Sequence, residues 1–599
     1  MKRAKLFLKA INYSLQLLCK SNKLFGGVYI LLILLLSSLP VISTFLLKLL
    51  VDTLLEKTLN YDTVIYLIVA YIVLIVFLQL LSSVKNIVYK CLYEKSAHLY
   101  ECNVLKKLEV LPMSFIDSSE GKDTLDDVRY IKDSVVSLVF RMIDLFSQLY
   151  LFIIAFITLL SFNLFFSFLF LFLSIPAIVI DWYIGRKVID FRHKTAPDVR
   201  KFSYYRWMLT DIWPAKDVRM YNLTDSISQR YKSEKHSYKK ENTELDKKEL
   251  RVSSITELIK RSGEIIFTIF VVVCAIRGVI TIGDLSLYIG FALLLSDSFQ
   301  NIVSIFVIEY ADNTQLFGLL FSLYEIECYD KKETYRNIDK FISLDFKNVY
   351  FKYPNTDNYV LTGTTFTLNK GDKLSIVGIN GSGKSTIIKL MLGLYEIESG
   401  QILINGYPMS NYDIRDVRKL FSALFQSFVQ YPLTLRENIA LSSLERIDNT
   451  KEIEGVLTQS GVYEDIQPKL ENGLDSFMTR RFADKGTELS KGQWQKIALS
   501  RAYFKNAPII IFDEPSAALD AEAEDCIFKN FELISDGKTG IMISHRISSA
   551  RMSNKIVVLD GGTITEQGTH DELIAFDGLY AKLYNLQREK YTVKEGGLI

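Results

Sequence analysis

The chain has 599 residues, 49% of them hydrophobic and only 23% charged, which excludes a disordered or collagen-like chain. Its 70 Lys and Arg against 68 Asp and Glu leave a net charge of +2, so no nucleic-acid partner held by a basic face is expected. Six scattered cysteines, with no CxxC pair, give neither a disulfide framework nor zinc-ligand spacing.

Taken in chain order, the first feature is a basic N-terminal stretch carrying Lys2, Arg3, Lys5, Lys9, Lys20 and Lys23, followed by an apolar run too long for a signal peptide. Only about 23 residues precede that run, too few for a folded peptidase domain. A hydrocarbon core about 30 Å thick needs about 20 apolar residues as helix. Residues 24–47, with Pro40 as a kink, and 63–84 both qualify. The uncharged run 145–180 would be about 54 Å long as one helix, which no bilayer accommodates. It must turn, and Ser161-Phe162-Asn163 is the plausible turn, giving spans over 141–160 and 162–181. Two more follow over 261–280 and 285–308, separated at Ile282-Gly283-Asp284. Six spans in an all-α membrane domain over residues 1–325 are predicted.

Lys and Arg crowd the segments 85–133 and 181–260, while the other connections carry few cations. With both termini cytosolic, all charged segments fall on one side, as the positive-inside rule requires. These segments read as helices extending beyond the membrane, with short elements at their tips near Phe115 to Asp127 and Thr210 to Asn222. Asp297 lies within the last span. An ionisable residue there either lines a polar cavity and takes a cationic group of a cargo, or pairs with a neighbouring helix.

From about residue 340 to 590 the texture is that of an α/β domain, with a tail over 591–599. The stretch from Ile342 to Pro354 alternates like a strand. The buried strand "KLSIVG" runs into Gly378-Ile379-Asn380-Gly381-Ser382-Gly383-Lys384-Ser385-Thr386, a GxxxxGK[ST] loop opening a helix. Its backbone N–H groups close on phosphate oxygens, Lys384 reaches the β- and γ-phosphates, and the Ser385 hydroxyl goes to Mg²⁺. A second apolar strand, Ile509 to Phe512, delivers Asp513 and Glu514 at its end. Asp513 is placed to hold Mg²⁺ through water and Glu514 to polarise the attacking water.

Between these motifs stands Leu489-Ser490-Lys491-Gly492-Gln493, which resembles the LSGGQ signature of ATP-binding cassette (ABC) proteins. In the same order come Gln426 in "LFQSF", Ser516-Ala517-Ala518-Leu519-Asp520 and His545 in "ISHR". These resemble the family's Q-loop, D-loop and switch histidine, and Tyr353 stands where the family stacks an aromatic ring on adenine. The resemblance, to an exporter-type half-transporter, covers nearly the whole chain. It implies an ATP hydrolase that binds ATP and Mg²⁺, with Glu514, His545 and Lys384 catalytic and Ser385, Gln426 and Asp513 around the metal. It also implies a dimer, a homodimer being simpler than a heterodimer, in which each ATP lies between one P-loop and the signature of the other chain. The sequence departs from the family at Lys491, which replaces the first signature glycine, and at Asp484, where exporters usually carry Glu.

The stretches from Leu424 to Leu444 and from Ser490 to Glu524 are most similar to bacterial exporters of lantibiotics and related modified peptides. The implied activity is ATP-driven export of a ribosomally made, modified or cyclic peptide across the bacterial cytoplasmic membrane, among membrane lipids. Export of a drug or lipid on the same architecture is the alternative. A non-transporting ATP-gated regulator is more remote because Glu514 and His545 are present, and import is not excluded.

Overall fold

The structure, a computed structural model, describes residues 2–56, 60–308, 314–326, 335–482, 484–514, 531–532, 535, 537–544 and 550–592. It divides into two compact units, Met1–Val110 with Asp123–Ile326, and Leu111–Lys122 with Glu327–Ile599. The segment 111–122, which the sequence alone places with the membrane helices, thus groups with the second unit. Met113 accounts for part of this, since it packs against the hydrophobic core of that unit.

Up to Glu325 the described chain is helical: α1 (Lys2–Ser21), α2 (Lys23–Leu54), α3 (Tyr61–Glu109), α4 (Met113–Ile116), α5 (Ser119–Tyr130), α6 (Lys132–Phe162), α7 (Leu164–Thr210), α8 (Ala215–Met220), α9 (Thr224–Ile276), α10 (Ile282–Ile308) and α11 (Thr314–Glu325). Asn22 starts α2 by accepting hydrogen bonds from the N–H groups of Leu24 and Phe25. Asn163, in extended conformation at φ −155° and ψ 115°, separates α6 from α7. The 49 residues of α3 and 53 of α9 make helices roughly 74 and 80 Å long, far beyond a bilayer's apolar thickness. In the first unit α7 lies along α9, and α10 packs against both α6 and α2. Glycines set that last approach. A Cβ on Gly283 would fall 2.3 Å from Asp52, and one on Gly290 would fall 2.8 Å from the Thr44 methyl. Four described helices are long and apolar enough to cross a membrane: Lys23–Leu54, Tyr61–Glu109, Lys132–Phe162 and Ile282–Ile305. In α9 the apolar end is preceded by Lys260, Arg261 and Glu264.

The second unit continues with β1 (Ser343–Phe351), β2 (Leu361–Asn369), β3 (Lys373–Gly378), α12 (Lys384–Met391), β4 (Ser399–Ile404), β5 (Tyr407–Pro408), α13 (Ile414–Lys419), β6 (Phe421–Leu424), α14 (Leu435–Ala440), α15 (Thr450–Gln459), α16 (Tyr463–Ile466), α17 (Lys491–Lys505), β7 (Ile509–Asp513), β8 (Thr539–Ile543), β9 (Lys555–Asp560), β10 (Thr563–Gly568), α18 (His570–Phe576) and α19 (Leu579–Thr592). One sheet has the order β2-β1-β4-β5 and is antiparallel. The other runs β10-β9-β3-β8-β7-β6 and is parallel except at β10. Every residue of β7 and β8 is buried, as parallel strands covered on both faces require. Because β3, β6, β7 and β8 are parallel, their C-terminal ends share one edge, where ligands bind in such sheets. A main core holds Ile376, Ile387, Ile388, Ile511 and Ile543. A separate cluster around Leu435, Ile453, Trp494 and Phe504 holds the helical part together.

Candidate functional site at the parallel sheet edge

The end of β3 turns directly into the loop 378–383 and then α12. A Cβ on Gly378 would lie 2.1 Å from the Leu559 carbonyl oxygen, and Gly383, at φ +106°, sits 2.8 Å in the same sense from the Leu361 side chain. Gly381 is also left-handed, at φ +81°, and Asn380 lies beside it on the exposed part of the loop. The buried Lys384 folds back, donating to the carbonyl oxygens of Gly378 at 3.0 Å and Ile379 at 2.9 Å. Burial lowers its pKa, with Glu514 and Asp513 pulling the other way. The Ser382 hydroxyl is buried with no hydrogen-bond partner among the described residues. An orphaned donor beside a buried ammonium is the arrangement a phosphate would complete.

Strand β7 brings its carboxylates to the same edge. The Ser385 hydroxyl donates to Asp513 Oδ1 at 3.3 Å, and Gln426, just beyond β6, donates from Nε2 to Glu514 Oε2 at 2.6 Å. Burial, then the adjacent Glu514, raises Asp513 above the ordinary carboxylate range, while Ser385 and Lys384 oppose the rise. The hydroxyl of Ser385 and the carboxylate of Asp513, in contact here, are oxygen donors of the kind Mg²⁺ takes, and the Gln426 amide on the neighbouring strand end would be the candidate for a third. Glu514 sits at φ +49°, a left-handed backbone that is costly for a residue with a side chain.

Tyr353 follows β1. Its hydroxyl lies 3.1 Å from Thr386 Oγ1, and Lys389 Nζ donates to it at 3.2 Å. The P-loop, the two carboxylates and Gln426 are thus gathered at one edge, with Tyr353 bonded to α12. The signature stands on the helical part instead. Leu489 packs on its core, and Ser490 caps α17, accepting from the Gln493 N–H while Gln493 returns a bond to the Ser490 N–H. Lys491 and Gly492 form the first turn of α17. Ser516, Ala517, Ala518, Leu519, Asp520 and His545 lie outside the described residues, as does the tail beyond Thr592. In the first unit, Asp297 is paired with Lys260 at 3.4 Å, and Lys260 also donates to Gln300 Oε1 at 2.5 Å.

Sequence reasoning missed several residues. Arg501, half-buried in α17, donates to the Val429 carbonyl at 2.8 Å and to Asn438 Oδ1 at 2.6 Å, clamping the chain that follows Gln426. Burial brings its pKa down to about 10. The available signal was a lone cation among the apolar residues "IALSRAYF". Lys260 stood one residue outside the expected span. Tyr395 and Asp117 gave no local signal.

Residues 361–517 match the family described as ABC transporter, and residues 27–299 the ABC transporter transmembrane region. The chain is 31% identical over 574 residues to the subtilin transport ATP-binding protein SpaT of Bacillus subtilis, covering 93% of this chain and 91% of that one. It is 32% identical over 458 residues to the nisin transport ATP-binding protein NisT of Lactococcus lactis, covering 74% and 75%. A similarity to an ATP-dependent lipid A-core flippase of Methylobacillus flagellatus, at 32%, spans 52% of each chain. The solved structure of a bacterial Atm1-family ABC exporter with ATP bound shares the fold, with a TM-score of 0.82 at 24% identity over 94% of this chain and 98% of that one.

Proposed function

This chain belongs to the ABC transporter family, an exporter-type protein with fused membrane and ATPase domains that couples ATP hydrolysis to transport, and on that premise we propose that it exports a ribosomally made, modified peptide, lantibiotic-like or cyclic, across the bacterial cytoplasmic membrane. The observation that carries the cargo class is the extent of similarity. A match of 574 residues to a subtilin transport protein necessarily runs through the membrane half, where cargo is handled. The flippase match spans only 52% of the chain. Cassettes all perform the same hydrolysis and report little about cargo.

In this proposal two copies of the chain assemble, each ATP lying between the P-loop of one and the Ser490-Lys491-Gly492-Gln493 turn of the other. The membrane domain crosses six times, with both termini cytosolic. Lys384 and the orphaned Ser382 hydroxyl bind phosphate oxygens, Ser385 and Asp513 hold Mg²⁺ with Gln426, Glu514 orients the water, and His545 assists at the γ-phosphate. ATP binds the closed pair more tightly than the open one, and that difference drives the outward turn of the cavity. Hydrolysis resets it.

The test is ATPase activity of the purified chain in lipid nanodiscs, with Glu514→Gln as the control, while modified peptides, hydrophobic drugs and lipids are titrated in turn. Modulation by a peptide at about micromolar concentration, absent from the control, is the expected result. Modulation by lipids or drugs alone would move the cargo to the alternative class, and no turnover would require a different partner chain.

A further inference from the structure

Tyr395 lies just beyond α12 and is 4% exposed, in the core of the second unit. A buried phenol needs a partner for its hydroxyl. That partner is Asp117, 278 residues away, at the end of α4 on the segment between α3 and the α5–α6 pair; the Tyr395 hydroxyl donates to its carboxylate. Burial and this bond together push the Tyr395 hydroxyl well above the ordinary phenol range.

The Tyr395 ring in turn sets Tyr353. The two rings meet edge to face, with centroids 5.4 Å apart and planes at 86°. Phe351 closes the group, 5.1 Å from Tyr353 and 5.8 Å from Tyr395. Lys389 Nζ stands 5.0 Å from the centre of the Tyr353 ring and 5.7 Å from that of Tyr395, so one cation bridges both faces. Ser114, from the same segment as Asp117, lines a cleft of about 420 Å³ together with Tyr353, Tyr395 and Asn355.

We propose that Asp117 and Tyr395 are positioning residues for the adenine site: Asp117 fixes the Tyr395 hydroxyl, and the Tyr395 ring holds Tyr353 at the angle from which it receives the base. This deepens the reading above, since it rests on Tyr353 stacking adenine. A phenol has two side-chain torsions, and anchoring the hydroxyl at one end leaves the ring little freedom at the other. Loss of the anchor lets Tyr395, and with it Tyr353, sample orientations that do not bind the base. The linkage is reciprocal. If the place of segment 111–122 alters affinity for the base, occupancy of the base site alters the preferred place of that segment by the same factor.

The experiment measures KM and kcat for ATP in nanodiscs for the intact chain and for Asp117→Ala, Asp117→Asn, Tyr395→Phe and Tyr353→Ala. Asp117→Ala and Tyr395→Phe are expected to raise KM about three- to tenfold while kcat stays within about twofold, the scale of one lost hydrogen bond. Asp117→Asn, which keeps an acceptor oxygen, is expected to recover most of the loss. Tyr395→Phe preserves the ring and its packing, so the test survives if Asp117→Ala fails to fold. An unchanged KM in both, or a fall in kcat at constant KM, overturns the proposal. If Tyr353→Ala raises KM when the other variants do not, the adenine reading stands and only the positioning role is lost. If Tyr353→Ala leaves KM unchanged, the adenine reading falls and takes the proposal with it.

Discussion

Gln426 donates to Glu514 across 2.6 Å, joining the second residue after β6 to the first after β7 at the edge where the P-loop opens. Glu514 makes this bond from a left-handed backbone, φ +49°, with its N–H held by the Ile543 carbonyl at 2.9 Å. Holding a carboxylate in such a conformation costs about 1–3 kcal/mol, which is retained where orientation matters more than stability. Replacing Glu514 by Gln keeps the shape and removes the base. Turnover is expected to fall at least about 100-fold while ATP binding persists. Phosphate release under single-turnover conditions, alongside equilibrium nucleotide binding, checks this, and equal losses of binding and turnover would contradict the assigned role.

Ser382 gives a test with opposite signs in two assays. Its hydroxyl is buried and has no hydrogen-bond partner among the described residues, so Ser382→Ala removes a desolvated donor that makes no bond there. Melting of the nucleotide-free protein is expected to be unchanged or improved by up to about 1 kcal/mol. ATP affinity is expected to fall severalfold, because the same hydroxyl would donate to a phosphate. A variant that loses stability and keeps its affinity would make Ser382 an ordinary packing residue.

The fold of the ATPase half was legible because its signals are local. An apolar strand, a glycine loop and a helix start occupy consecutive residues, and so do the strand ending in Asp513 and Glu514. The Asp117–Tyr395 bond was not legible, since 278 residues separate its ends and neither has an unusual neighbourhood in the sequence. The same holds for Lys260. Hydropathy singled out Asp297 as an ion within an apolar run but treated Lys260 as lying just beyond one. In the structure α9 continues unbroken past that boundary, and Lys260 is buried against α10.

Asp513 ties metal binding to pH. Its pKa in the fold is raised, chiefly by burial. The folded, metal-free protein therefore holds this proton more tightly than the unfolded chain. This group's contribution to stability consequently rises as pH falls through the folded pKa and is lost as pH rises through it. Mg²⁺ acts in the other direction, because it needs the carboxylate. The Mg²⁺ concentration for half-maximal ATPase is expected to climb as pH is lowered, beginning above the range in which an ordinary Asp titrates. A Mg²⁺ requirement that stays flat until an ordinary carboxylate titrates would contradict control of metal binding by a raised Asp513.

Lys491 is exposed on the first turn of α17, directly after the Ser490 cap. If this turn meets the γ-phosphate held by the second chain, the ammonium adds a charge-assisted contact to the helix N-terminus. Lys491→Gly is then expected to weaken ATP-driven association in a Glu514→Gln background, and to flatten its dependence on salt. Titrating sodium chloride against the fraction of ATP-trapped dimer distinguishes this from crowding by the longer side chain, for which Lys491→Gly would strengthen association.

The pair formed by Lys260 and Asp297 is asymmetric, and that asymmetry separates helix pairing from cargo binding. The Lys260 side chain is 7% exposed, whereas that of Asp297 is 66% exposed, at 3.4 Å. Beside them Glu264 accepts from the Ser296 hydroxyl at 2.7 Å and from Arg261 at 2.7 Å, so α9 and α10 share a line of polar contacts. Among the described residues, removing Asp297 leaves the buried ammonium with the Gln300 oxygen alone, while removing Lys260 takes the buried charge away and leaves an accessible carboxylate. Breaking a buried pair from the exposed side costs more than replacing its buried member with an apolar residue of similar volume. Asp297→Ala is therefore expected to destabilise the chain by about 1–3 kcal/mol, and Lys260→Met by less than about 1 kcal/mol. Thermal melts in nanodiscs rank the two, and the reverse order would break the pairing account. Asp297→Asn keeps an acceptor for Lys260 and should melt close to the unaltered protein. If it nonetheless abolishes peptide-stimulated ATPase while basal turnover persists, the exposed carboxylate meets the cargo as well as the helix.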